Sequence, residues 1–337
     1  MSRVLSSLAI ALALLIVGAS TRGLAQQPGN EGVVRGRVTM ASAGASLEGV
    51  VEVELIIFDG QQAAGRVKAP VRDGAYEARL PASATRVYVP RINYERVDYF
   101  VDPVRFNGTE RAATRDFTVY ATTDRADMLQ LIQTIVTVIA VDREAGEIGV
   151  LREDVVAITG DRIFAGGTSG ITLRIPAPDG TIEATEEEGR GILANGVLAV
   201  TTPVRPGEAS SIITSYIVKY DPARDRYRLR VTVPVPAESV VARVPRDFVR
   251  GVRPVAPAEQ ADDQVLQDEA RTVLHVVRTT ARIEAGQSLL MDIDGVAGTL
   301  NHHPLTEQPG ASIAAAAVIA GVTALGVLIW RRREAGA

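Results

Sequence analysis

From Gly32 onward the chain alternates apolar and polar residues with a period of two. Val34, Gly36, Val38 and Met40 fall on one side and Arg35, Arg37 and Thr39 on the other, as in a strand with one buried face. A second strand is predicted from Val51 to Phe58, where Val51, Val53, Leu55 and Ile57 alternate with Glu52 and Glu54 until the turn pair Asp59-Gly60. Asp73-Gly74 then leads into Tyr76, Ala78 and Leu80, and Pro81 ends the run. Further strands are expected at Arg86 to Val89, Asp98 to Val101 and Ala113 to Tyr120.

Three stretches of this region carry a resemblance. They are Gly32-Val33-Val34-Arg35-Gly36-Arg37-Val38, Leu47-Glu48-Gly49-Val50-Val51-Glu52-Val53-Glu54-Leu55, and Val71-Arg72-Asp73-Gly74-Ala75-Tyr76 with Leu80-Pro81. Together they resemble the carboxypeptidase regulatory-like group of β-sandwiches, with its CnaB-type and transthyretin-like relatives, over residues 30–122. The resemblance implies a small sandwich that serves as a structural or binding module and brings no catalytic residues of its own. The match is partial: Asp73-Gly74-Ala75-Tyr76-Glu77-Ala78 ends in alanine where those modules often run Asp-Gly-x-Tyr-x-Phe. No zinc-ligand His-x-x-Glu pair occurs in the chain.

Residues 123–298 read as a second β-rich, sandwich-like domain. Leu131 to Val141 and Gly149 to Thr159 form a predicted long hairpin across the charged turn 142–147, although Met128, Leu131, Ile132 and Ile135 also fit helical spacing. Strands follow at Ile171 to Ile175, Val197 to Thr201 and Ile212 to Tyr220. The last is expected to pair across 221–225 with Tyr227, Leu229, Val231 and Val233, leaving Arg226, Arg228, Arg230 and Thr232 on the other face. Ser239 to Val244, Thr272 to Ile283 and Ser288 to Asp294 add strand patterns, whereas Gly251 to Asp263, rich in proline, alanine and acid, reads as an exposed loop.

Both ends are apolar. Residues 1–25 read as a secretory signal peptide, with Arg3, an apolar stretch from Leu8 to Val17 and the small residues Gly23 and Ala25; an uncleaved anchor is the alternative. Residues 299–310 read as a stalk. The 20 uncharged residues of 311–330 are long enough for one transmembrane helix, and Arg331, Arg332 and Arg333 follow as a membrane stop that places the tail 331–337 in the cytoplasm. The expected fold class is therefore all-β: two β-sandwich domains, Ig-like or prealbumin-like, followed by a single C-terminal transmembrane helix. The expected location is the cytoplasmic (inner) membrane, with a type I ectodomain outside the cytoplasm. Neither Leu-Pro-x-Thr-Gly nor Pro-Glu-Pro precedes the tail, so a retained anchor is favoured over sorting-signal removal.

Composition narrows the chemistry. The chain lacks cysteine, which excludes disulfides, thiolate zinc sites and a cysteine nucleophile, and it has three histidines, His275, His302 and His303. Between Gln26 and Gly310 stand 31 basic and 39 acidic residues, a net charge of −8 that opposes nucleic-acid and anionic-lipid binding and mildly favours basic partners. His302-His303 reads as solvated linker, His275 as a strand residue, and Asp292-Ile293-Asp294-Gly295 as a strand-ending turn that lacks the further ligands of a calcium loop. Glu186-Glu187-Glu188 reads as a solvated loop tip. Gly166-Gly167-Thr168-Ser169-Gly170 is a flexible loop without nucleophile-elbow spacing, and Asn107-Gly108-Thr109 is a turn rather than a glycosylation site. The stripe Arg226, Arg228, Arg230 is the remaining interaction candidate, for an anion or polysaccharide, against the plainer reading of arginines on the wet face of a strand.

The expectation is a non-enzymatic, membrane-anchored extracytoplasmic protein that presents β-sandwich surfaces to other envelope or membrane proteins, as an accessory of a membrane or respiratory complex. No catalytic residues, cofactor, metal or nucleic acid are expected. The alternatives are a carbohydrate or envelope-polymer binding module, set back by aromatics at 4% of the chain, and a secreted hydrolase built from distant carboxylates.

Overall fold

The computed structural model describes residues 31–107, 109–187, 191–267 and 271–296. The segments read as a signal peptide and a stalk, residues 311–330, Arg331, Arg332, Arg333, His302 and His303 lie outside them. The described residues are all-β, with three single-turn 3-10 segments and no helix long and apolar enough to cross a membrane. They divide into two compact units. One runs up to Thr39 and includes Leu47–Asn93 and Asp98–Thr118; the other comprises Met40–Ser46, Tyr94–Val97 and the chain from Val119 on.

The first unit contains β1 (Glu31–Met40), β2 (Glu52–Asp59), β3 (Gln62–Pro70), β4 (Ala75–Pro81), β5 (Arg86–Tyr94), β6 (Val97–Phe100), β7 (Ala112–Thr114) and β8 (Phe117–Val119). β1 pairs with β4, β7 and β8 in one four-stranded sheet, and the other has the order β3-β2-β5-β6. The period-two pattern decides what is buried: Val34, Tyr76, Ala78 and Leu80 from one sheet, Val53, Leu55, Tyr88 and Ile92 from the other. Tyr88 joins the sheets, its ring 5.4 Å from that of Phe106 and its hydroxyl donating to the Pro81 carbonyl. Tyr76 packs on Phe117 at 6.0 Å and donates to the Arg115 carbonyl at 2.6 Å. That carbonyl also requires a glycine in β1, because a Cβ on Gly36 would stand 1.9 Å from it.

Several expectations change here. Val51 precedes β2 and is 68% exposed, so the buried alternation starts at Val53. The strand β3 has no counterpart in the sequence reading because it is an edge strand with mostly exposed side chains, which erases the apolar signal. The single predicted strand from Ala113 to Tyr120 is two, β7 and β8. The chain bends between them, where Arg115 N–H bonds the Arg35 carbonyl and Asp116 accepts from Arg37 N–H.

The second unit is built on a seven-stranded sheet and three small ones. Its strands are β9 (Thr122–Thr123), β10 (Leu129–Asp142), β11 (Glu147–Ile158), β12 (Ile163–Phe164), β13 (Leu173–Pro176), β14 (Thr181–Glu186), β15 (Ile192–Ala194) and β16 (Val197–Val200). They continue as β17 (Ser210–Lys219), β18 (Arg226–Thr232), β19 (Val240–Pro245), β20 (Gly251–Val255), β21 (Ala258–Val265), β22 (Val273–Thr279) and β23 (Ser288–Asp294). The large sheet has the order β14-β17-β11-β10-β19-β22-β21; the small ones are β18-β23-β20, β13-β16-β15 and β12-β9. The long hairpin is β10–β11, and the helical alternative at its start is a single 3-10 turn, Ala126–Met128. One core holds Val136, Val138, Ile148 and Val150 of the hairpin together with Leu229 and Val231 of β18, Met291 and Ile293 of β23, and Ile175, Leu198 and Val200 of the β13-β16 pair.

Two expectations about this unit fail for reasons of pairing. The strand Ile212 to Tyr220 does not form a hairpin with 227–233: both edges of β17 are already taken, by β11 and β14, and β18 pairs with β23 instead. The stretch Gly251 to Asp263 is not a loop but the strands β20 and β21. Both are sheet edges, where the proline of β20 and the acidic, polar run of β21 are tolerated.

These placements set an order of sensitivity in the first unit. Leu55→Ala, at a fully buried position, should lower the unfolding free energy by about 2–5 kcal/mol. Glu52→Ala, which removes an exposed partner of Lys68, should change it by less than about 0.5 kcal/mol. Urea melts followed by circular dichroism check the ranking, and equal losses would show that the alternation is misassigned.

Candidate functional site

Strand β18 is an edge strand whose odd residues Tyr227, Leu229 and Val231 are buried, which turns Arg226, Arg228 and Arg230 to the outer face. The register across the sheet then sets two rows. Arg228 of β18 lies opposite Asp292 of β23, which lies opposite Arg253 of β20; one step along, Arg226, Asp294 and Gly251 align in the same way. These rows, with Arg224, Asp225 and Arg250 from the loops at the strand ends, line an open hollow of 1060 Å³.

Ion pairs hold the lining. Arg228 Nε donates to Asp292 Oδ1 at 2.7 Å and its Nη2 to Oδ2 at 3.1 Å, a side-on two-point contact. Asp294 bridges two strands, its Oδ1 accepting from Arg226 Nε at 2.7 Å and from Arg253 Nη2 at 3.2 Å, while Arg253 Nε lies 2.8 Å from Oδ2. Arg250 reaches Asp225 at 2.5 Å. The hydrogen bond from Arg228 holds the Asp292 carboxyl below the usual carboxylate range against the opposing effect of burial, and the charges of Arg228, Arg226 and Arg253 add to it. For Asp294 burial is the largest influence and pushes upward, yet the hydrogen bonds and charges of Arg226 and Arg253 together outweigh it and leave the group lowered.

Of the three arginines singled out from the sequence, the structure brings Arg226 and Arg228 into the hollow. Arg230 stands beyond it and reaches Asp179 at 3.1 Å. Sequence reasoning missed Gly251 and Arg253 because their strand was read as a loop, and Arg250 because it only flanks that strand. It placed Asp292 and Asp294 at the end of a strand running into a turn, and what it did not show is that they are alternate residues of β23 facing the arginines. The one signal available was the matched i, i+2 spacing of the two sets.

The other candidates resolve into structural roles. His275 on β22 contacts Asp263 of β21 at 3.1 Å. Glu186 is not a solvated loop tip: it is buried at the end of β14, where it accepts from the Thr201 and Thr202 N–H groups and from the Thr202 hydroxyl at 2.6 Å. The glycine loop is a 3-10 turn, Gly167–Ser169, bounded by left-handed Gly166 and Gly170. Asn107 accepts from Glu110 N–H through its side chain, as in a turn. Among the described residues no group of three His, Asp or Glu side chains is placed to hold a metal ion.

No family model matches the chain, and no curated protein matches it. Among solved structures, an M1 zinc metallopeptidase from Deinococcus radiodurans aligns with a TM-score of 0.32 at 10% identity, over 49% of this chain and 42% of the peptidase. The major pilin SpaD from Corynebacterium diphtheriae aligns at 0.22 and 11% identity over 59% of each chain. A DUF3823 family protein from Parabacteroides merdae aligns at 0.17 and 12% identity, over 60% of this chain and 89% of that one. The chain thus spans under half the length of the peptidase, and TM-scores this low establish neither a shared fold nor a shared activity.

The lowered Asp292 carboxyl has a pH signature. A depressed folded value stabilises the fold fully above the ordinary aspartate range, near about 3.9, and that contribution is lost as pH falls through the folded value. The stability gap between the native chain and Asp292→Asn should therefore be constant near neutral pH and close on acidification. Denaturant melts across a pH series measure it, and a gap that widens in acid would mean that Asp292 is not held by Arg228.

Proposed function

We propose that this chain is a non-catalytic extracytoplasmic β-protein, tethered to the cytoplasmic membrane by its C-terminal apolar segment, that uses β-sandwich surfaces to engage other envelope or membrane proteins. Its membrane accessory role, including service to a respiratory complex, belongs to this reading. The observation that carries it is the hollow on β18-β23-β20, where five arginines face three aspartates in an ectodomain of net charge −8. Such a local reversal of sign steers and orients an acidic partner. Tethering adds to this by raising the effective concentration of a weak binder beside membrane-bound partners.

A photo-crosslinking residue placed at Arg224, 83% exposed at the hollow's rim, tests the role in native membranes. Discrete protein adducts from this position are expected, with none from a control placed at Arg66 in the first unit; the absence of adducts at position 224 would overturn the reading. Protease added to spheroplasts should digest the region before Ala311 and spare the C-terminal tail, and a protected ectodomain would reverse the assigned topology.

A further inference from the structure

The hollow has a feature that a solvated salt-bridge ladder does not need. Its second row ends on Gly251, whose backbone is not in the left-handed region and where an added Cβ would meet nothing within 4 Å. The floor beside Asp294 and Arg226 is therefore open, and the neighbouring arginines are held in place around it. Arg226 holds its aspartate through Nε alone, Arg228 through Nε and Nη2, and Arg253 through Nη2 with Nε alongside, so Nη1 of each is not spent on these aspartates. A guanidinium has five N–H donors, so these contacts fix the planes and leave terminal donors for a second anion. Fixing them beforehand reduces the side-chain entropy lost on binding.

The sheet itself shows which ligand fits. Asp292 and Asp294, two residues apart on an extended strand, meet Arg228 and Arg226, two residues apart on the adjacent strand. The repeat of such positions is about 7 Å, and any extended acidic peptide with Asp or Glu at alternate residues presents it. The lining holds five arginines and three aspartates, an excess of two positive charges. Asp221, which Arg224 approaches at 3.3 Å, forms an exposed and weak pair outside this lining. No aromatic side chain lines the hollow to stack on a sugar ring.

We propose that the hollow over Gly251 binds two carboxylates of an extended acidic polypeptide segment with acidic residues at alternate positions. This rests on the interaction role proposed above and names the chemistry of its partner. The outer donors of Arg226, Arg228, Arg250 and Arg253 take the two carboxylates, and the intervening residues of the peptide point to solvent.

The test uses the full-length chain in nanodiscs and a fluorescent octapeptide of alternating Glu and Ser, read by anisotropy at low salt. Gly251→Glu adds a carboxylate to open space without removing any charged side chain of the lining, and its unchanged melting temperature is the folding control. It should weaken peptide binding by about tenfold or more, roughly 1.4 kcal/mol per decade. Gly251→Ala should leave binding unchanged, and an octapeptide with its four Glu in one block should bind more weakly than the alternating one. Equal binding by the native chain and Gly251→Glu, or tighter binding of inorganic polyphosphate at the same site, would overturn the proposal. Adducts at position 224 that persist in Gly251→Glu membranes would leave the interaction role standing and remove this site from it. Absence of adducts in the native chain would remove the role itself.

Discussion

Strand β11 is buried on both faces, yet its middle reads Arg152-Glu153-Asp154, and the second unit depends on how those charges are held. A buried ion costs several kcal/mol unless it is closely paired and its remaining hydrogen-bonding capacity is met. Asp154 takes Arg152 Nε and Nη2 at 2.7 and 3.0 Å and the Thr134 hydroxyl of β10 at 2.6 Å. Arg152 spends its remaining amino group on the Thr232 carbonyl at 2.9 Å. Thr232 ends β18, so the pair reaches from the large sheet to the small one that carries the hollow. Beside it Tyr216 receives the Thr214 hydroxyl's hydrogen bond, and burial pushes its phenol up to about 12, which keeps it neutral.

The ladder pattern explains why Thr232 is the residue that Arg152 meets. β18 bonds β23 through its odd residues, as Val233 N–H to Gln287 O and Gly295 N–H to Asp225 O show at the two ends. The even residues therefore turn their backbone groups away from β23. An edge carbonyl that would otherwise be left without a partner in the interior is met by a guanidinium. The same alternation puts the arginine side chains of β18 on the outer face. One period-two rule thus governs the buried contact with Arg152 and the exposed contact with Asp292 and Asp294.

This rule was legible where one face of a strand is buried. It marks β1, β2, β4 and β18, because Val34, Leu55, Tyr76 and Leu229 sit in cores while their neighbours do not, whereas the β10–β11 hairpin and β23 are read from their apolar content and turn-bounded length. It is silent for edge strands such as β3, whose residues are mostly exposed, and β21, whose residues are exposed or half-buried on both faces. It misleads about pairing. The short spacing between β17 and β18 suggests a hairpin, but competition for the edges of β17 is decided by β11 and β14, which are 50 and 25 or more residues away in the chain. The hollow is of this second kind: Arg226 and Arg228 could be read locally, whereas Arg253, Gly251 and the two aspartates come together only through register.

The account stands on coupling between Arg152 and Asp154, and a double-mutant cycle measures it directly. Arg152→Met and Asp154→Leu alone should each lower the unfolding free energy of the chain by about 3–5 kcal/mol, because each leaves a buried charge without its partner. The double variant should lose clearly less than the sum of the two, since two apolar side chains of similar size replace the pair, although the Thr232 carbonyl and the Thr134 hydroxyl lose their partners. Additive losses in the double variant would contradict the account, for they would mean that the two charges are held independently and that β18 takes its position from something other than this pair.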